Sequence, residues 1–236
     1  MNYIILNDKK NTEIKGLMIC TLPPISKPAK KVNQEEIDGV DGDIITEIGY
    51  KAYDKEFQIG LTYNYYIDEV IEYFNSEGKI TFSNEPDKYY TYKIIEQIDF
   101  EKLLRFKTAT IKMHIQPFKL SNEESEKTFE ISTEEEVSII NKGNVFSKPT
   151  ITIYGTGTIN LGLNSQHIFV IELGENEPEI TIDCDKMEAY NEQTQVLKNR
   201  LVTGNYDNFK LPRGRNTITF TGAVTKIVIK NYSRWI

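Results

Sequence analysis

From Thr150 to Lys230 the sequence keeps returning to a two-residue period. It is visible in Thr150-Ile151-Thr152-Ile153-Tyr154, Glu179-Ile180-Thr181-Ile182-Asp183, Asn216-Thr217-Ile218-Thr219-Phe220 and Lys226–Lys230. Side chains alternate between two faces only when the backbone is extended, so these runs predict half-buried strands. Clusters of Gly, Pro and Asn separate them at turn-like spacing. The simplest solution for residues 125–236 is a β-sandwich.

The first half carries the same period in Lys79–Ser83 and in Thr110–Ile115, where Gln116-Pro117 is expected to close the strand because proline cannot donate to a ladder. One segment departs from it. Ile67, Val70, Ile71 and Phe74 recur at i, i+3, i+4 and i+7, with Asp68, Glu69 and Glu72 opposite and Gly78 available as a stop. That spacing predicts one short amphipathic helix over about 66–77. The polar, mostly acidic stretch Ser121–Lys127, followed by the apolar-poor run Ser132–Glu136, places a seam near 121–128. The expectation is a mainly β chain of two domains, 1–124 and 125–236.

Hydrophobic residues make up 39% and charged residues 27% of the 236, which places the chain with folded globular proteins. A formal charge of −7 argues against a partner read through phosphates, so no sequence-specific nucleic acid is expected. Cys20 and Cys184 are the only cysteines and stand far apart, which suggests neither a disulfide framework nor a zinc site and fits folding in a reducing cytoplasm. The apolar stretch Tyr3–Leu6 is too short for a signal peptide, and no run approaches the ~18 residues of a membrane span.

His114 and His167 lie in strand-like runs without a nucleophile or second ligand at useful spacing, and read as solvated or satisfied side chains. Glu134-Glu135-Glu136 and Glu175–Glu179 fall in polar connecting segments, whereas a glycosidase needs two carboxylates facing each other across a cleft. Gly155-Thr156-Gly157-Thr158-Ile159-Asn160 lacks the third glycine and the following helix of a dinucleotide fingerprint and reads as a tight turn. Asp38-Gly39-Val40-Asp41-Gly42-Asp43 has its acids at positions 1, 4 and 6 of a would-be calcium loop and Gly49 at position 12, so a glycine-hinged arm or hairpin tip is the better reading. The expectation is no enzyme, no cofactor and no metal. Fourteen tyrosines keep a carbohydrate-binding module or adhesin as the alternative, although the single Trp235 is better placed to anchor the last strand.

Four segments together resemble the distal tail (Dit) protein family of long-tailed phages infecting Gram-positive bacteria. They are the glycine-rich Glu36–Asp43 with Ile48-Gly49-Tyr50-Lys51 after Leu22-Pro23-Pro24-Ile25, and the helix from Ile67 running through Gly78–Ser83 to Tyr90. The third is Ile115-Gln116-Pro117-Phe118, and the fourth spans Asn141–Asn144, Pro149–Ile153, Ile182–Cys184 and Leu211–Ile218. The resemblance implies a sandwich or barrel-like N-terminal domain that forms a ring, an arm at about 33–50, and a galectin-like C-terminal sandwich. It implies a structural hub at the distal end of a tail, a homo-hexamer around a channel for DNA. Its partners would be the tail tube protein and the tail-associated tip protein, with tape-measure and receptor-binding proteins nearby. Assembly in the host cytoplasm and residence at the virion tail tip follow from the same resemblance. Within the arm, Gly39, Val40, Asp41, Gly42 and Ile44 are the expected subunit-interface residues: the glycines as hinges, Val40 and Ile44 as apolar contacts in an acidic segment.

Overall fold

A computed structural model describes residues 1–236 apart from Val40, Glu124 and the side chain of Ser125. The chain forms two compact units, Met1–Asn122 together with Ile236, and Glu123–Trp235.

The first unit contains β1 (Ile4–Leu6), β2 (Lys9–Lys10), β3 (Leu17–Ile19), β4 (Lys30–Glu36), β5 (Asp43–Tyr50) and β6 (Tyr53–Leu61). After these come α1 (Ile67–Phe74), β7 (Gly78–Phe82), β8 (Lys88–Lys93), α2 (Phe100–Phe106) and β9 (Thr108–Ser121). Its main sheet runs β2-β1-β7-β8-β9-β6-β3. Ile4 and Leu6 at one end of that path and Leu17 and Ile19 at the other belong to the same buried cluster as Phe57, Ile59, Phe82, Tyr90 and Ile111, so the sheet curls around a single core. The helix α1 lays Val70, Tyr73 and Phe74 on it.

Three expectations for this unit change. The helix ends at Phe74, short of 77, because Ser76 Oγ donates to the Tyr73 carbonyl and Asn7 draws the following residues into the sheet. Asn7 Nδ2 donates to the Glu77 carbonyl at 3.0 Å and its Oδ1 accepts from Lys79 N at 2.8 Å. A second helix, α2, accompanies α1, where the sequence pattern had pointed to one alone. Asp99 caps it by accepting from Lys102 N at 2.8 Å, and Lys107 ends it in the left-handed region at φ 59°. Pro117 does not end β9. Tyr92 lies opposite Ile115 and Tyr90 opposite Lys119, so three residues including Pro117 face Thr91 alone, and β6 has already ended its pairing at Ile115. In that bulge the missing N–H costs no ladder bond.

The second unit contains β10 (Ser125–Glu130), β11 (Glu136–Asn141), β12 (Thr150–Leu163), β13 (Gln166–Leu173), β14 (Glu179–Asp183), β15 (Glu188–Tyr190), β16 (Val202–Gly204) and β17 (Gly214–Asn231). Two long strands, β12 and β17, run side by side through both halves of the unit. The half containing Thr150–Tyr154 and Lys226–Lys230 adds β14 and β15 on one side and β10 on the other. The half containing Gly157–Leu163 and Ile218–Val224 adds β13 and β16 on one side and β11 on the other. Ile151, Ile153, Ile180, Ile182, Ile227 and Ile229 from the first half and Ile139, Leu161, Phe169, Ile171, Ile218 and Phe220 from the second form one buried cluster. This is a β-sandwich whose two sheets share strands that change sheet at a bend.

The segment Gly155–Asn160 makes that bend and is not the tight turn expected from its glycines. Between Thr156↔Ala223 and Asn160↔Thr221 the register slips, leaving three residues of β12 opposite Gly222. Gly157 adopts φ 75° and Gly222 φ 105°. Glu179 also departs from expectation: it is buried in β14 and accepts from Glu192 N at 3.2 Å.

The acidic stretch between the units is partly structured, since Ser125–Glu130 pairs residue by residue with Asn231–Lys226 as the edge strand β10. Limited proteolysis is therefore expected to cut in the bend 131–135 and spare the end of β9 and β10, because paired backbone resists a protease. Mass spectrometry of the fragments checks this. First cleavage inside 150–230 would contradict the division into two units.

Candidate functional site

The feature of the first unit that its own core does not explain is a two-stranded ribbon. Strands β4 and β5 pair with each other, from Lys30↔Tyr50 to Glu36↔Asp43, and with no other strand among the described residues. Every described residue of both strands is exposed except Tyr50, which is half-buried. Cross-strand partners share a face, so Val32, Gln34 and Glu36 lie with Glu47, Ile45 and Asp43, whereas Asn33 and Glu35 lie with Thr46 and Ile44. Each face thus shows an isoleucine to solvent, Ile45 at 60% exposure and Ile44 at 52%. Ile48, at the register slip, and Ile37, beyond the end of β4, add two more. An isolated hairpin is marginal in water, and five exposed large aliphatic side chains, counting Val32, are a cost unless something covers them.

Polar contacts hold the ribbon's shape. Lys30 pairs with Glu47, which raises the lysine's pKa, and Gln34 Nε2 donates to Asp43. At the tip Gly39 and Gly42 adopt φ 83° and 89°, where a β-carbon would be strained although the surrounding space is open. Of the five residues expected at an interface, Gly39, Asp41, Gly42 and Ile44 lie together at this end of the ribbon, and Val40 lies outside the described residues. Among the described residues no three His, Cys, Asp or Glu side chains converge to hold a metal ion, so Asp38, Asp41 and Asp43 do not gather as a calcium loop would require.

The ribbon's root is built differently. Residues 22–29 hold Pro23, Pro24 and Pro28 and form no strand, and side chains of the sheet meet their carbonyls. Asn84 Nδ2 donates to the Pro23 carbonyl at 3.1 Å, Lys55 Nζ to that of Pro24 at 2.6 Å, and Tyr53 Oη to that of Ser26 at 3.3 Å. Lys51 N donates to the Ala29 carbonyl at 2.8 Å, closing the base, and Tyr50 meets Phe118 edge-on with ring centroids 5.5 Å apart. Beneath the root, Lys119 Nζ lies 2.8 Å from Glu85 Oε1, and Tyr90 Oη donates to Glu85 Oε2 at 2.7 Å. Lys55 has no carboxylate of its own; its ammonium lies 5.2 Å from the centroid of the Tyr90 ring. Burial, with Lys119 nearby and only partly offset by Glu85, pulls its pKa down to about 8. Sequence reasoning missed Lys55, Glu85 and Lys119. The usable signal was Tyr53-Lys55-Phe57-Ile59, an inward-facing series with a lysine where a hydrophobe belongs.

The acid–base candidates lie elsewhere and are occupied. His114 Nδ1 lies 2.8 Å from Asp54 Oδ1 and Lys112 Nζ 3.2 Å from Asp54 Oδ2; these contacts hold the Asp54 carboxyl below its usual range. The exposed Glu134 accepts from the backbone of Ser132 and Thr133, which lowers its pKa to about 2 and marks it as a turn-forming carboxylate.

Residues 12–115, almost all of the first unit, match the model of the phage tail protein RIFT-related domain. Over the whole length the fold is that of the Dit protein of phage SPP1, described as a paradigm of the hub adsorption apparatus in phages infecting Gram-positive bacteria: TM-score 0.63, 16% identity, 100% of both chains. The chain thus has the Dit fold, with a match to a phage tail domain in its first unit. Two structures of the phage p2 baseplate in its activated conformation are also similar. The one with calcium has a TM-score of 0.51 and 9% identity over 98% of each chain, and the one with strontium 0.51 and 11% over 98% of this chain and 97% of that one. No curated protein matches the sequence.

Proposed function

We propose that this protein is a structural, non-enzymatic hub subunit at the distal end of a phage tail. Copies close into a hexameric ring around a channel for DNA, each inserting its β4–β5 ribbon against a neighbour. The ring links the tail tube protein to the tip or baseplate components. The observation that carries this reading is the ribbon itself, a pair of strands that joins no other strand among the described residues and shows isoleucines on both faces. The likeness to tail hub and baseplate proteins supports it. The subunit's residence in the virion tail follows from this role. Sedimentation velocity up to ~100 μM, a range that captures association energies of about 5–8 kcal/mol, is expected to give the mass of a closed ring, with six-fold rings in negative-stain micrographs. A single-chain mass throughout, both alone and mixed with the tube protein, would overturn the proposal.

A further inference from the structure

We infer that Lys55 fixes the direction in which the ribbon leaves the first unit, by clamping the proline segment at its root from the core side. The inference takes its purpose from the proposed exchange of the ribbon between subunits, but its geometry stands independently of that reading.

Three observations carry it. Lys55 is 4% exposed and occupies an inward position of β6 in line with Phe57 and Ile59, a place where an aliphatic side chain would fold at lower cost. Its closest partner is the Pro24 carbonyl, with Ser26 Oγ at 3.5 Å, so the ammonium is spent on the backbone leading into β4. The one carboxylate close by, Glu85, is engaged by Lys119 and Tyr90. A buried cation whose two hydrogen bonds both go to an otherwise strand-less segment is positioned to hold that segment. Proline fixes the φ angles at 23, 24 and 28, and Tyr53 Oη holds the Ser26 carbonyl between them, so a clamp at Pro24 acts on a segment already restrained on its way to Ala29 and Lys30.

The consequence is an arm that points one way before a neighbour arrives. Ordering a mobile ribbon during assembly would subtract from the binding energy of each contact, whereas a ribbon already aimed avoids that loss. The Lys55→Met variant keeps the length and apolar stem of the side chain and removes the ammonium. Its effect should therefore fall on aim and not on folding.

The test measures the ribbon's position directly in the full chain. Cys20 is exposed just before the proline segment and Cys184 is buried, so a Thr46→Cys substitution gives two labelling sites, one at the root and one on the exposed ribbon. Spin-label distances are recorded in dilute single chains, with and without Lys55→Met. Lys112→Met, which removes an ion-paired lysine of β9, serves as the control. The expected result is a narrow distribution in the parent and in Lys112→Met, a broad one in Lys55→Met, and a melting temperature for Lys55→Met equal to or above the parent's. A distribution that stays narrow in Lys55→Met overturns the inference. So does broadening accompanied by a lower melting temperature, which would make Lys55 an ordinary structural residue. The reading of the ribbon as an exchanged arm fails separately, if the parent gives no rings while its distance distribution is narrow.

Discussion

Excising residues 31–49 and joining Lys30 to Tyr50 through Asn-Gly is expected to leave a soluble, folded protein that sediments as a single chain where the parent forms rings. Lys30 and Tyr50 are directly opposed, so a two-residue turn can close the shortened hairpin without disturbing the bond from Lys51 N to the Ala29 carbonyl. Little else should change in the first unit, since none of the described residues removed is buried. The effect on assembly should be large. Burying Ile37, Ile44, Ile45 and Ile48 on a neighbour is worth about 2 kcal/mol each. Their loss removes roughly 8 kcal/mol per contact before costs, comparable to a micromolar association. A milder variant, Gly39→Val with Gly42→Val, strains the tip alone and should weaken rings without abolishing the fold. Mass and melting temperature measured on one sample decide the matter: an excised variant that melts earlier yet still forms rings would return the ribbon to an ordinary hairpin.

The two-residue period exposed the strands of the second unit because Ile151, Ile153, Ile180 and Ile182 all face one apolar core, although their polar neighbours Thr152, Glu179, Thr181 and Asp183 are buried as well, which the period does not convey. The exposed arm was legible for the opposite reason: Glu35, Glu36, Asp38, Asp41 and Asp43 crowd a stretch whose glycines need a turn. What the period could not convey is which strands share residues with two sheets. A bulge changes register without changing composition, so Gly155–Asn160 looked like a turn when it is a bend inside one long strand. Helix α2 escaped because it is seven residues long, so Phe100, Leu103 and Leu104 at i, i+3 and i+4 fill less than two turns and only Leu103 is fully buried. Lys55 escaped because a lysine between Tyr53 and Phe57 reads as surface until the strand's direction is known. Of the candidate site, then, the exposed half was visible and the buried half that aims it was not.

Gly222→Val should be among the most damaging single changes in the second unit. At φ 105° a β-branched residue is a genuine outlier, and such strain costs on the order of 1–3 kcal/mol. A β-carbon built there would also stand 2.4 Å from the Thr158 carbonyl oxygen and 3.2 Å from Ile159 Cα. Both are backbone atoms of the opposing β12, at the bend where β12 and β17 cross from one sheet to the other, so relief requires the two central strands to separate. Strain and lost pairing together should reach roughly 4 kcal/mol, a large part of the 5–15 kcal/mol that stabilises a typical domain. For a unit of this size that lowers the melting temperature by roughly 15–30 °C. Gly174→Val is the control, since no atom lies within 4 Å of a β-carbon there and its φ is not in the left-handed region. It should melt within a few degrees of the parent. If the two variants melt alike, β12 and β17 do not approach as closely at the bend as the glycine contacts require. If Gly222→Val alone collapses the second unit, the sandwich depends on a residue that contributes no side chain to its core.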